Sequence, residues 1–165
     1  MTKYIVYKSN SGFTKKYAEL LANELGISAI NYSDMEEIEK DSDIIFMGWI
    51  MASKIQGLSK AQKKFNINAI CSVGMAPPSE KITNEIFANN NVEENKFFYL
   101  QGGFDMQKLK GIYKILMQIM EKVIRKKLSK NKGEDEELSY MLDMLENGMD
   151  CVSIENLKPL LDSLR

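Results

Sequence analysis

Short apolar runs alternating with segments of helical spacing predict an α/β fold, a parallel sheet sandwiched between helices. Three observations carry that expectation. β-rich runs recur at 3–8, 28–32, 43–49, 67–74 and 96–101, and helical periodicity fills 14–25, 34–40, 57–65 and 79–90 between them. Runs three and four, DIIFMGW and INAICSVG, are almost continuously apolar, as strands are when helices cover both faces of a sheet. The chain of 165 residues suits one domain, with a core large enough to fold alone.

The first run, KYIVYK, stops at SNSGFT, and the segment after it carries Tyr17, Ala18, Leu20, Leu21 and Leu25 on one stripe. The remaining strand and helix segments repeat this strand-loop-helix alternation as far as residue 101. Beyond it the pattern changes. Residues 107–130 predict one long helix with Leu109, Ile112, Tyr113, Leu116, Ile119, Met120, Val123 and Ile124 at i, i+3, i+4, i+7 spacing, broadened by Ile115 and Met117. The polar stretch 129–137 breaks it, a helix over ELSYMLDML follows, and Asn147 and Gly148 are its stop signals. A last helix is expected over 154–164. No linker separates a second domain, so the expected organisation is a single domain over 1–165 with a helical extension from about 105.

Composition excludes more than it suggests. Apolar content of 44% and charged content of 27% belong to an ordinary globular chain. Net charge is −1, so no global field favours nucleic acid. Histidine is absent, which removes His-based acid–base chemistry, Ser-His and Cys-His nucleophiles and most zinc sites; no metal site is expected. Cys71 and Cys151 lie far apart without a CxxC pattern and read as buried thiols of a reducing compartment. No signal-peptide pattern opens the sequence, and no run approaches the ~18 apolar residues of a membrane span. The expected location is cytoplasmic.

The junction at 9–14 is the candidate site. A helix beginning there presents unpaired N–H groups and the positive end of its dipole, an anion-binding arrangement. Ser9, Ser11 and Thr14 bring hydroxyls, Asn10 an amide, and Gly12 allows a close backbone approach. The plainer reading is that Ser11 or Thr14 simply caps the helix. G-x-x-x-x-G-K-[ST] and G-x-G-x-x-G are both absent, which argues against a P-loop NTPase and a dinucleotide site. A phospho-acceptor domain needs carboxylates at the strand ends, but these ends read Lys8-Ser9 and Gly48-Trp49.

YKSNSGFT resembles the phosphate loop of flavodoxins, in which a small hydroxyl residue, any residue, Thr or Ser, Gly, any residue and Thr follow one another. Ser9, Asn10, Ser11, Gly12, Phe13 and Thr14 fall on those places in order. The resemblance, covering about residues 1–102, implies a flavodoxin-like three-layer sandwich whose five parallel strands run in the order 2-1-3-4-5. It also implies FMN as cofactor, with two further loops on the flavin ring. The first is Gly48 to Lys54, in which Trp49, Ile50, Met51 and Ala52 are the candidates; the second, Gly74 to Ser79, offers Gly74 and Met75. The second loop lacks the aromatic that flavodoxins usually stack on the ring. Trp49 sits close to its strand and reads equally well as a core residue, and Met51 or Met75 can pack on a ring instead.

LQGGFD and the long basic helix after it are similar to a flavodoxin-like group, the menaquinone-dependent protoporphyrinogen dehydrogenases. There an insert after strand five carries a Met- and Ile-rich basic helix. Here residues 108–132 hold nine Lys or Arg against one acid, Glu121. Such a helix reads either as a covering helix with a solvated face, or as a membrane-surface or partner-docking element over 107–132. The expected function is electron transfer through FMN, to a redox partner protein or a quinone, with no catalytic side chain. Alternatives are an FMN-dependent oxidoreductase of the protoporphyrinogen or quinone dehydrogenase type, with Phe104 and Tyr113 in an apolar lid, and a binding module that has lost its flavin.

Overall fold

Strand β1 (Tyr4–Lys8) buries three successive residues, Ile5, Val6 and Tyr7, so it is covered on both faces. The computed structural model that shows this describes residues 1–130 and 134–164. By its internal contacts the chain forms two compact units: Met1–Gly102 with the C-terminal stretch from Cys151, and Gly103–Asp150.

The first unit is a three-layer α/β sandwich. After β1 come α1 (Phe13–Leu25), β2 (Ser28–Asn31), a 3-10 turn (Tyr32–Glu37), β3 (Asp43–Met51), β4 (Lys54–Ile55), α2 (Leu58–Lys64), β5 (Asn66–Gly74), α3 (Glu80–Asn89) and β6 (Phe97–Gln101). The main strands are parallel in the order β2-β1-β3-β5-β6, the order expected for five strands, and β4 pairs antiparallel with the end of β3. The segment expected as a short helix at 34–40 is instead the 3-10 turn, begun by Asn31, whose side chain accepts from Ser33 N at 3.1 Å.

Each face of the sheet has its own core because side chains alternate along a strand. Ile5, Tyr7, Ile45, Met47, Cys71 and Val73 meet Phe13, Tyr17, Ala18 and Leu21 of α1, with Leu157 and Leu160. Val6, Ile44, Phe46 and Ile70 meet Met35, Leu58, Ala61 and Ile86. Leu160 belongs to α6 (Lys158–Ser163), the helical core of the expected 154–164 segment. Cys71 is buried, which pushes its thiol pKa up, whereas Cys151 is only half-buried; both are free.

The second unit comprises β7 (Gly103–Phe104), α4 (Gly111–Lys130), α5 (Glu136–Asn147) and β8 (Met149–Asp150), with β7 and β8 antiparallel. Helix α4 starts four residues later than the periodicity implied. Asp105 holds the preceding residues in a turn: its carboxylate accepts from Gln107 N at 2.9 Å and its carbonyl from Lys108 N at 3.1 Å. Asp135 caps α5 through Leu138 N at 3.0 Å, and the Gly148 N–H closes it on Met144 O at 3.0 Å. Arg125 joins the helices by binding Glu121 of α4 and Glu146 of α5. Of the long apolar face of α4 only Ile124 is buried; Ile112, Ile115, Leu116, Ile119 and Val123 are between 46% and 66% exposed. Phe104 is buried and Tyr113 half-buried. Asn131 and Lys132 of the expected basic segment lie outside the described residues. Among those residues, no helix is long and apolar enough to cross a membrane.

Candidate functional site

The carboxyl ends of β1, β3 and β5 come level, with Lys8 opposite Gly48 and Gly48 opposite Ser72. From β1 the chain passes to β2 on one side, and then back to β3 on the other. The gap between β1 and β3 is therefore the topological switch point, where open α/β sheets bind ligands. All three candidate loops leave from this edge.

The first loop, Ser9 to Gly12, is folded by its own hydroxyl: Ser9 Oγ accepts from Gly12 N at 3.1 Å, which leaves the Ser9 O–H proton able to donate outward. Gly12 adopts φ +97°, a left-handed conformation that β-carbon residues avoid, and the space beside it is open. Neither Ser11 nor Thr14 caps α1; the helix starts at Gly12 with no side-chain cap bond. Its first turn holds no acid and two cations, Lys15 and Lys16. That reverses the usual preference for negative charge at a helix N-terminus, and it suits an anion supplied from outside. Asn10 is exposed and Ser11 half-buried, and neither side chain forms a hydrogen bond with a described residue. Phe13 and Thr14, the first two residues of α1, are buried, Phe13 in the apolar cluster on the α1 face of the sheet. Lys8 is turned to the other face of the sheet, its Nζ 4.4 Å over the Tyr32 ring.

The second segment differs from the expected loop. Strand β3 does not stop at Trp49 but runs to Met51 and doubles back as β4, with Ala52 and Ser53 at the turn, φ +48° and +59°. Two positive φ angles make this a tight hairpin of the type usually built with Asn-Gly. Asn90 clamps it: its carbonyl oxygen accepts from Ile55 N at 2.9 Å, and its amide donates to Ser53 O at 2.7 Å and Ile86 O at 2.8 Å. Gly48 lies under the hairpin, where a β-carbon would come within 2.6 Å of Ile55 Cγ2 and 2.9 Å of Gln56 O. Trp49 alternates onto the α1 face beside Val73, is half-buried and belongs to neither apolar cluster. Ile50 packs on the opposite cluster, Met51 is 38% exposed and Ala52 is exposed.

The third loop starts at half-buried Gly74 and Met75 and is fastened from β6. Tyr99 donates to Ala76 O at 2.7 Å, the Gln101 amide to Met75 O at 3.2 Å, and Gly102 N to Gly74 O at 2.8 Å. Tyr17 of α1, fully buried, donates to Gln101 O at 2.6 Å and accepts from Asn156 at 2.7 Å. The structure thus brings the sequence-derived residues to one edge but adds Asn90, Tyr99, Gln101, Tyr17 and Asn156 as the groups that hold them. Nothing in the spacing marked these. In the run Asn89-Asn90-Asn91 only the helix stop is legible, not which amide turns inward.

Chemically, the edge offers neutral donors around an open glycine, no carboxylate in Ser9 to Thr14, and a half-buried indole with Met51 two residues further along the same strand. Among the described residues no group of three or more His, Cys, Asp or Glu side chains converges. A family model described as the flavodoxin domain matches residues 4–131, most of the chain. No individual curated protein matches it.

Proposed function

The chain belongs to the flavodoxin domain family, and on that premise we propose that it binds FMN at the switch point and carries electrons. The observation that carries the proposal is the start of α1: an uncapped helix with no acid in its first turn, preceded by an open left-handed glycine. That combination leaves positive potential and donors pointing at one place, which a phosphate dianion neutralises. Ser9, Asn10, Ser11, Gly12, Phe13 and Thr14 are the residues for the phosphate. Trp49, Ile50, Met51, Ala52, Gly74 and Met75 are those for the ring. The bound flavin supplies the redox chemistry, and the protein supplies its orientation and electrostatics. Trp49 offers an aromatic face, and the Asn90 clamp keeps the adjoining hairpin from moving on binding.

The test is an absorption spectrum of the purified protein after incubation with FMN and desalting. Retained flavin bands are expected, and Ser11→Ala is expected to weaken FMN by about tenfold or more, the value of a hydrogen bond to a charged group. A colourless protein that takes up no FMN at saturation overturns the reading.

A second reading is an FMN-dependent oxidoreductase acting on a porphyrinogen or quinone. It is favoured by LQGGFD followed by the Met- and Ile-rich α4, which leaves much of its apolar surface uncovered. Oxidation of a porphyrinogen by the flavin-loaded protein, with a menaquinone analogue reduced in turn, separates it from a pure carrier, which oxidises no porphyrinogen.

A further inference from the structure

We infer that the outer face of α4 is a docking surface for an anionic lipid bilayer. The face is defined by Ile112, Ile115, Leu116, Ile119 and Val123, spaced i, i+3, i+4, i+7 and i+11, each between 46% and 66% exposed. At 100° per residue these five share one stripe about three turns long. The stripe does not end at Val123 but changes character. Lys122 follows Ile115 by seven residues, Lys126 follows Ile119 by seven, Lys130 follows Val123 by seven, and Lys127 follows Val123 by four. All four lysines are exposed, and none forms an ion pair among the described residues. The one acid of α4, Glu121, projects from the opposite side and is held by Arg125, which also takes Glu146 of α5. The outer face is therefore aliphatic for its first turns, cationic for its last, and free of negative charge.

Charge complementarity selects the occupant. A second copy of the chain would bring lysines against lysines or against aliphatics, with no acid on the face to compensate. Protein interfaces favour Trp, Tyr and Arg at their centres and disfavour Lys, and this stripe has only Ile, Leu, Val and Lys. An anionic bilayer accepts both halves: branched aliphatics pass the headgroups, and lysine stems extend their ammonium groups to phosphates and carboxylates. The helix then lies obliquely, its N-terminal turns deeper than its C-terminal ones. Each lysine near such a surface is worth about fivefold in partitioning.

The test is cosedimentation of the full chain with phosphatidylcholine vesicles, with and without phosphatidylserine, independent of flavin content. Binding to the phosphatidylserine vesicles, weak binding to phosphatidylcholine alone, and loss on adding salt are expected. Lys126→Gln with Lys130→Gln should weaken partitioning about 25-fold, and Ile115→Gln with Ile119→Gln should abolish it. Lys63→Gln, an exposed lysine of the first unit, should leave it unchanged. No binding to phosphatidylserine vesicles, or equal loss with Lys63→Gln, overturns the inference. A concentration-dependent dimer in sedimentation, abolished by the isoleucine pair without vesicle binding, also overturns it and gives the face to a second copy.

Discussion

Helices α1 and α4 both carry apolar residues at i, i+3, i+4 and i+7 spacing, yet α1 buries Phe13, Tyr17, Ala18 and Leu21, while α4 buries Ile124 and leaves five aliphatics in water. The difference lies in what each helix meets. Helix α1 follows β1 and packs on the β1, β3 and β5 side chains that its stripe matches. In α4 the aliphatics extend around well over half the circumference, more than its packing covers. A period shows that a helix is amphipathic; it does not say which part of a wide apolar arc becomes interior. The width of that arc is the signal that a second surface is being kept outside.

The largest effect that can break this comparison comes from truncating one residue of each helix. Leu21→Ala should cost about 2–5 kcal/mol through lost burial and the cavity left behind, whereas Ile119→Ala should fall within about 0.5 kcal/mol. Urea unfolding of both variants checks this, and equal losses would mean that the α4 face is covered after all. A middle-sized effect sharpens the account of α1, which buries a polar end as well as an apolar stripe. Tyr17→Phe removes the hydroxyl that donates to Gln101 O and accepts from Asn156, so about 1–3 kcal/mol should be lost in the same assay.

The smallest effect is a pH control that touches neither helix. Glu36 lies on the surface between Lys60 (2.7 Å) and Lys64 (2.9 Å), and these hydrogen bonds hold its carboxyl at about 2, below the ordinary 4.5. Because the folded-state value is the lower one, the pair stabilises the protein above pH 4.5 and its contribution disappears as pH falls from 4.5 toward 2. Lys60→Gln and Lys64→Gln together should flatten that part of the stability-pH curve. The gap between Leu21→Ala and Ile119→Ala should stay constant across the same range.

The parallel strands were legible because their apolar runs are short, dense and bounded by polar loops, and the strand order followed once Ser9 to Thr14 were recognised as a loop type. The β3–β4 hairpin was not legible, since Ala52 and Ser53 carry none of the Asn-Gly chemistry that advertises such a turn. The apolar run reads as ending at Trp49, whereas Ile50 and Met51 continue the strand. The helix start at Gly111 was hidden because Leu109 keeps the apolar period, while Asp105 accepts from the backbone N–H groups of Gln107 and Lys108 and holds that stretch in a turn. The holding groups of the site were hidden for a different reason. Tyr17 reaches partners at 101 and 156, and a long-range hydrogen bond leaves no periodic trace.

The bond from Cys151 N to Gly102 O, at 2.7 Å, makes the two ends of the excursion through Gly103–Asp150 near neighbours in space. For a flexible segment, closing a loop between fixed ends costs only about 0.6 kcal/mol more for each doubling of its length. By that term alone the sandwich accepts a longer or a shorter excursion at that point. One scaffold can therefore carry excursions of different length at the Gly102–Cys151 port.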